Sequence, residues 1–146
     1  MHQKKIMAKE FWLNLPVKDL KKSKEFFSRL GFAFNEHLGD REDLACMLLG
    51  DNRSIVMLFP ETTFKGFTQN ELANEKTTEV MMSIDAESRE EVDEMARKAE
   101  AAGSVVFGKP SESQGWLYGC AFTDLDGHRW NILYRDMSKL KGQKGE

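Results

Sequence analysis

FWLNLPV (residues 11–17) runs into DLKKSKEFFSRLGFAF (19–34), and the same order of signals returns at EVMMSID (79–85) and ESREEVDEMARKAEAAGSVVF (87–107). Each passage reads as a strand, a capped helix, a glycine and a second strand. In the first, Asp19 can accept from the open amides of a helix over 20–30, whose Leu20, Phe26, Phe27 and Leu30 share one stripe. Gly31 stands where a left-handed residue ends a helix. In the second, Ser88 and Glu91 form an S-x-x-E capping box, Val92, Met95, Ala96, Ala99 and Ala102 recur at helical spacing, and Gly103 stops the run.

Two more strand-like runs follow in each half. The expected strands are residues 11–17, 32–35, 44–49, 54–59, 79–85, 105–108, 116–123 and 129–134. Asp126-Gly127 reads as a hairpin turn needing positive φ, and Asp51-Asn52 plays a similar part earlier. The pattern is therefore α+β: two βαβββ modules forming a curved, cup-like mixed sheet with helices on the outer face. Residues 1–146 are expected to make one domain. Module one spans about 10–59, a linker or lid 60–78, module two about 79–136, and a loose tail 137–146. Phe64 and Phe67 in the 60–78 stretch either pin a linker down or close over a bound molecule.

Strand alternation separates two faces. Phe11, Leu13 and Leu15, Val56 and Leu58, Val80, Met82 and Ile84, and Trp130, Ile132 and Tyr134 suit the side packed on helices. Trp12, Asn14, Met57, Glu79, Met81, Ser83, Arg129 and Asn131 form mixed sets, suited to a concave, partly wet side. An apolar cleft with a few polar groups is what a small-molecule site requires. Met57 and Met81, with Trp12 and either Trp116 or Tyr118, could form an adaptable wall.

LNLPVKDLKKSKEFFSRLGF (13–32) and TDLDGHRWNILYRD (123–136) resemble the opening and closing motifs of the vicinal oxygen chelate superfamily. That group includes glyoxalase I, extradiol dioxygenases, and the bleomycin- and fosfomycin-resistance proteins. The resemblance implies four inward ligand positions, which fall near Trp12, Met57, Glu79 and Asn131, a cup often completed by sheets pairing either between subunits or between the two modules, and a homodimer. Metal-dependent relatives hold His and Glu there. Zinc, nickel, iron or manganese needs about three imidazole, carboxylate or thiolate donors. An indole, a thioether, an amide oxygen and one carboxylate fall short, so no metal and no other cofactor is expected.

The remaining signals narrow the choices further. His2, His37 and His128 read as surface or hydrogen-bonding histidines, and DLDG (124–127) lacks the later ligands of a calcium loop. Neither Ser-His-Asp nor Cys-His can be assembled, GxGxxG is missing, and Cys46 and Cys120 have no visible activator; no catalytic residue is assigned. Glu79, facing an apolar cleft, could be a general base, or could pair with Arg129 or bond to Asn131. A net charge of −3 over 146 residues argues against nucleic acid. No apolar run reaches membrane-spanning length, no signal-peptide pattern opens the chain, and two cysteines without CxxC spacing suit reduced thiols in the cytoplasm. The sequence thus points to a binder of a small apolar or aromatic molecule at Trp12, Asn14, Met57, Glu79, Met81 and Asn131. The alternative is a glyoxalase-like lyase, isomerase or dioxygenase, metal-dependent or using Glu79 as base.

Overall fold

The computed structural model describes residues 7–38, 41–51 and 53–139. The first unit consists of β1 (Trp12–Val17), α1 (Leu20–Arg29), β2 (Ala33–Phe34), a 3-10 turn at Glu36–Leu38, β3 (Ala45–Leu49) and β4 (Ser54–Pro60). A further helix, α2 (Glu61–Thr68), leads towards the second unit: β5 (Met81–Ala86), α3 (Arg89–Ala101), β6 (Gly108–Ser113), β7 (Leu117–Thr123) and β8 (Arg129–Arg135). The strands form two mixed sheets of four, ordered β1-β4-β3-β2 and β5-β8-β7-β6. In each, the first strand runs parallel to the last, the crossover a helix permits.

Local chemistry sets the helix ends as the sequence indicates. The Asp19 carboxylate accepts from the Lys22 amide at 3.0 Å, and Ser88 Oγ accepts from the Glu91 amide at 3.1 Å. Glu91 reaches back to the Glu87 amide at 2.9 Å, and Gly31 and Gly103 take φ of 99° and 101° past the two helices.

Both helices bury their stripes in one core. Phe26 and Phe27 of α1, Val92 and Ala99 of α3, Leu58 of β4, Phe122 of β7 and Trp130 of β8 belong to a single cluster. An aromatic contact crosses between the units. Phe27 and Phe32 lie 5.4 and 5.8 Å from the Trp130 ring. The Arg29 guanidinium adds a bond to the Ala101 carbonyl at 3.2 Å.

Three expectations need correction. The apolar run 105–108 is not a strand; β6 begins at Gly108 and pairs with β7 through a register shift between Gly108 and Ser111. Pro110, with no N–H, sits in that irregular stretch of an edge strand, where its missing donor costs least. β5 begins at Met81, leaving Glu79 and Val80 exposed ahead of it. Phe11 likewise precedes β1 and is exposed. The 60–78 stretch is partly helical: α2 ends on Gln69 in the left-handed region, and Phe67 packs edge-on to Phe59 at 5.1 Å. His2, Asn52 and the end of the tail (140–146) lie outside the described residues.

Candidate functional site

Among the described residues the strands form two separate sheets that are not hydrogen-bonded to each other. Trp12 and Asn14 stand on β1 beside Ile55 and Met57 of β4, the Asn14–Met57 register being direct. Met81 and Ser83 of β5 face Arg129 and Asn131 of β8. The helix-packed sides hold Leu15, Val56, Leu58, Trp130 and Ile132, all buried, as alternation requires. The mixed sides are left open. Trp12 is 49% and Met81 46% exposed, while Asn14 and Ser83 are also exposed.

Of the six candidate residues, Trp12, Asn14 and Met57 are therefore gathered on one sheet, and Met81 and Asn131 on the other. Glu79 stands apart, exposed ahead of β5, and within one chain it is not held in an apolar cleft. It forms no ion pair with Arg129, whose guanidinium instead lies over the Phe107 ring at 4.6 Å. Nor does it reach Asn131, whose Oδ1 is buried without a hydrogen-bond partner. Tyr118 joins the helix-packed side, not the wall: its hydroxyl donates to Asp93 at 2.7 Å under Arg89.

Two cavities are lined by other residues. One, about 1190 Å³ and open, runs past Leu48, Leu49, Arg53, Asp85, Glu91 and Arg135. The other, about 440 Å³, lies between α2, residues 71–75 and the β7–β8 turn. Of the mixed-face positions read from sequence, these cavities include Ser83 alone.

The β7–β8 turn holds the one group of three potential metal-binding side chains among the described residues. Ligand atoms of Asp124, Asp126 and His128 lie within 4.8 Å of one another. Their hydrogen bonds argue for a structural role. Asp124, 4% exposed, accepts from the Asp126 and His128 amides through Oδ1 and from His128 Nδ1 and Trp130 Nε1 through Oδ2. Asp126 accepts from the Lys18 amide at 2.9 Å and from Ser23 Oγ at 3.4 Å, tying the turn to the start of α1. From its sequence this segment reads as a plain turn. Nothing in DLDG announces that its first aspartate serves four donors.

Burial by itself would push the His128 imidazole down, but the Asp124 hydrogen bond and charge, helped by Asp126, outweigh it and raise it above the ordinary histidine range. The fold thus holds this proton more tightly than the unfolded chain. Its stabilising contribution is full below the unfolded value of about 6.5 and is lost as pH rises through the folded value. A His128→Gln variant should lag the wild type in urea midpoint more at about pH 5.5 than at about pH 9. A gap that widens with pH would contradict the assignment.

Both cysteines are buried free thiols. Burial pushes Cys120 up to about 11 and also raises Cys46, leaving little thiolate near neutrality.

The Glyoxalase/Bleomycin resistance protein/Dioxygenase superfamily model matches residues 11–132, nearly the whole of both units. The chain belongs to that superfamily. A hypothetical protein from S. aureus shares 37% identity and a TM-score of 0.79, over 88% of this chain and 95% of that one. A family enzyme from Burkholderia phytofirmans has 16% identity and a TM-score of 0.72, over 85% and 96% of the two chains. A glyoxalase-related enzyme from Fulvimarina pelagi has 14% and 0.74, over 88% and 89%. These last two show the shared fold. No functionally curated protein matches.

The metal found in some superfamily members does not fit the residues here. Trp12, Met57 and Asn131 offer an indole without a lone pair, a thioether and a neutral amide, and Glu79 lies outside the strand. Among the described residues no helix is long and apolar enough to cross a membrane.

Proposed function

We propose that this superfamily member is a metal-free small-molecule binder that works as a homodimer. Its cup closes when the mixed face of the first sheet in one chain meets that of the second sheet in the other. The observation that carries this reading is the exposure of Trp12 and Met81, at 49% and 46%, on the mixed faces of two unjoined sheets. Large apolar side chains on strands call for a covering surface, and a partly polar cover leaves room for a ligand. Met57 and Met81 supply a deformable wall, and Trp12 a flat one, which suits an apolar or aromatic molecule. Buried free thiols are consistent with a reducing compartment such as the cytoplasm.

Light scattering on the eluting protein should give twice the 16.8 kDa chain mass. Trp12 fluorescence should respond to apolar aromatic compounds in the dimer. A strictly monomeric protein at micromolar concentration would remove the shared cup. Near-stoichiometric metal held by the mixed-face residues would remove the metal-free reading.

A further inference from the structure

Arg129 is placed differently from the arginines with carboxylate partners. Arg41, Arg89 and Arg97 are paired with Asp43, Glu112 and Glu94 at the protein surface. Arg129 is half-buried on the mixed face of β8, and among the described residues it forms no ion pair. Its guanidinium carbon instead lies over Phe107, at 4.6 Å from the ring centroid. A cation–π contact supplies no hydrogen-bond acceptor, so the guanidinium N–H groups, set in a planar fork, remain available to one.

The neighbouring charges do not satisfy that fork. Asp85 shares the mixed face but lies four residues along β5 from Met81, the register partner of Arg129. That separation is about 13 Å at strand rise. Arg135 is a second cation on the same strand face, and Glu79 is exposed ahead of β5. Two residues from Arg129, about 7 Å along the strand, Asn131 presents its buried, unpartnered Oδ1 on the same side. The other buried side-chain oxygen without a partner among the described residues is Ser104 Oγ, away from this strand. A half-buried cation without an anion and a buried acceptor without a donor, side by side on one face, define complementary groups.

We infer that Arg129 and Asn131 set the ligand class: a flat apolar or aromatic compound bearing a carboxylate, with a hydroxyl or N–H beside it. The carboxylate meets the guanidinium edge in a forked pair, the adjacent donor satisfies Asn131 Oδ1, and Met81 lies against the apolar body. The inference rests on the small-molecule reading above and goes further by assigning the polar contacts.

Calorimetric titration of the dimer with 3-hydroxy-2-naphthoate, its methyl ester and 2-naphthylmethylamine tests it. The acid should bind about tenfold or more tighter than the ester, as one charge-assisted pair warrants, with the amine weakest. In Arg129→Gln the acid's advantage should fall to about twofold or less, while Arg129→Lys, keeping the charge without the fork, retains part of it. Thermal melts would verify that both variants are folded. Equal binding of acid and ester, a preference for the amine, or an acid preference surviving in Arg129→Gln would overturn the assignment and leave the small-molecule reading intact. Failure of all three probes to bind the folded dimer would overturn both.

Discussion

Replacing Trp130 with alanine should cost about 3–5 kcal/mol of folding stability, measured as a lowered urea midpoint. The side chain is 0% exposed, and it occupies the meeting point of the two units. Phe27 and Phe32 press on its ring at 5.4 and 5.8 Å, and its Nε1 donates to Asp124 at 3.1 Å. Removing it opens a cavity at the aromatic contact through which α1 is coupled to the second sheet. Because total stability is of order 5–15 kcal/mol, the variant should lose a large share of it. Trp130→Phe isolates the indole N–H. It keeps most of the ring contact and should cost less, about 1–3 kcal/mol, chiefly from the lost donor. Equal midpoints for wild type and Trp130→Ala would mean the aromatic contact does not hold the units together.

Asp124→Ala should be comparably severe, at about 3–5 kcal/mol, though it deletes only a carboxylate. Its two oxygens serve two backbone amides, an imidazole and an indole, so the alanine variant leaves several donors without a partner in a poorly hydrated turn. The damage should spread to α1, because the same turn carries Asp126, which holds the Lys18 amide and Ser23. Asp124→Asn gives a sharper comparison. The amide retains one acceptor oxygen and turns an N–H₂ towards a donor, so it should restore only part of the loss. Combining Asp124→Ala with Trp130→Ala should cost less than the sum of the two, since the Nε1–Oδ2 bond is counted in both. Simple additivity in a double-mutant cycle would show that the hydrogen bond contributes nothing measurable.

The parts of the fold legible in the chain are those governed by neighbours within a few residues. Asp19, Ser88 and Glu91 announce helix starts because a side-chain oxygen must reach an amide two or three positions on. Gly31 and Gly103 announce ends because positive φ favours a residue without Cβ. α2 was not legible: ETTFKGFT combines three threonines and a glycine, poor helix formers, and the edge-on packing of Phe67 against Phe59 accompanies its helical form. The shift of β6 has a similar origin. Val105, Val106 and Phe107 have strand-like side chains, yet the β7 partners pair further along, from Gly108 to Ser113.

Strand alternation also assigned side chains to faces, and Leu15, Val56, Leu58, Trp130 and Ile132 lie where a period of two puts them. It could not say where the faces point relative to each other. By itself, then, the sequence determined two βαβββ units, their helix caps, and the division of each strand into an apolar and a mixed side. All of these follow from backbone geometry repeated every two to four residues. Tertiary structure decided that the eight strands divide into two separate sheets of four. It also decided that Asp124 joins four donors, that Glu79 stands outside its strand, and that Arg129 lies over Phe107 with Asn131 Oδ1 unpartnered on the same face. Those outcomes depend on contacts between residues far apart in sequence, such as Phe27 with Trp130 and Lys18 with Asp126, where burial and hydrogen-bond satisfaction override local preference.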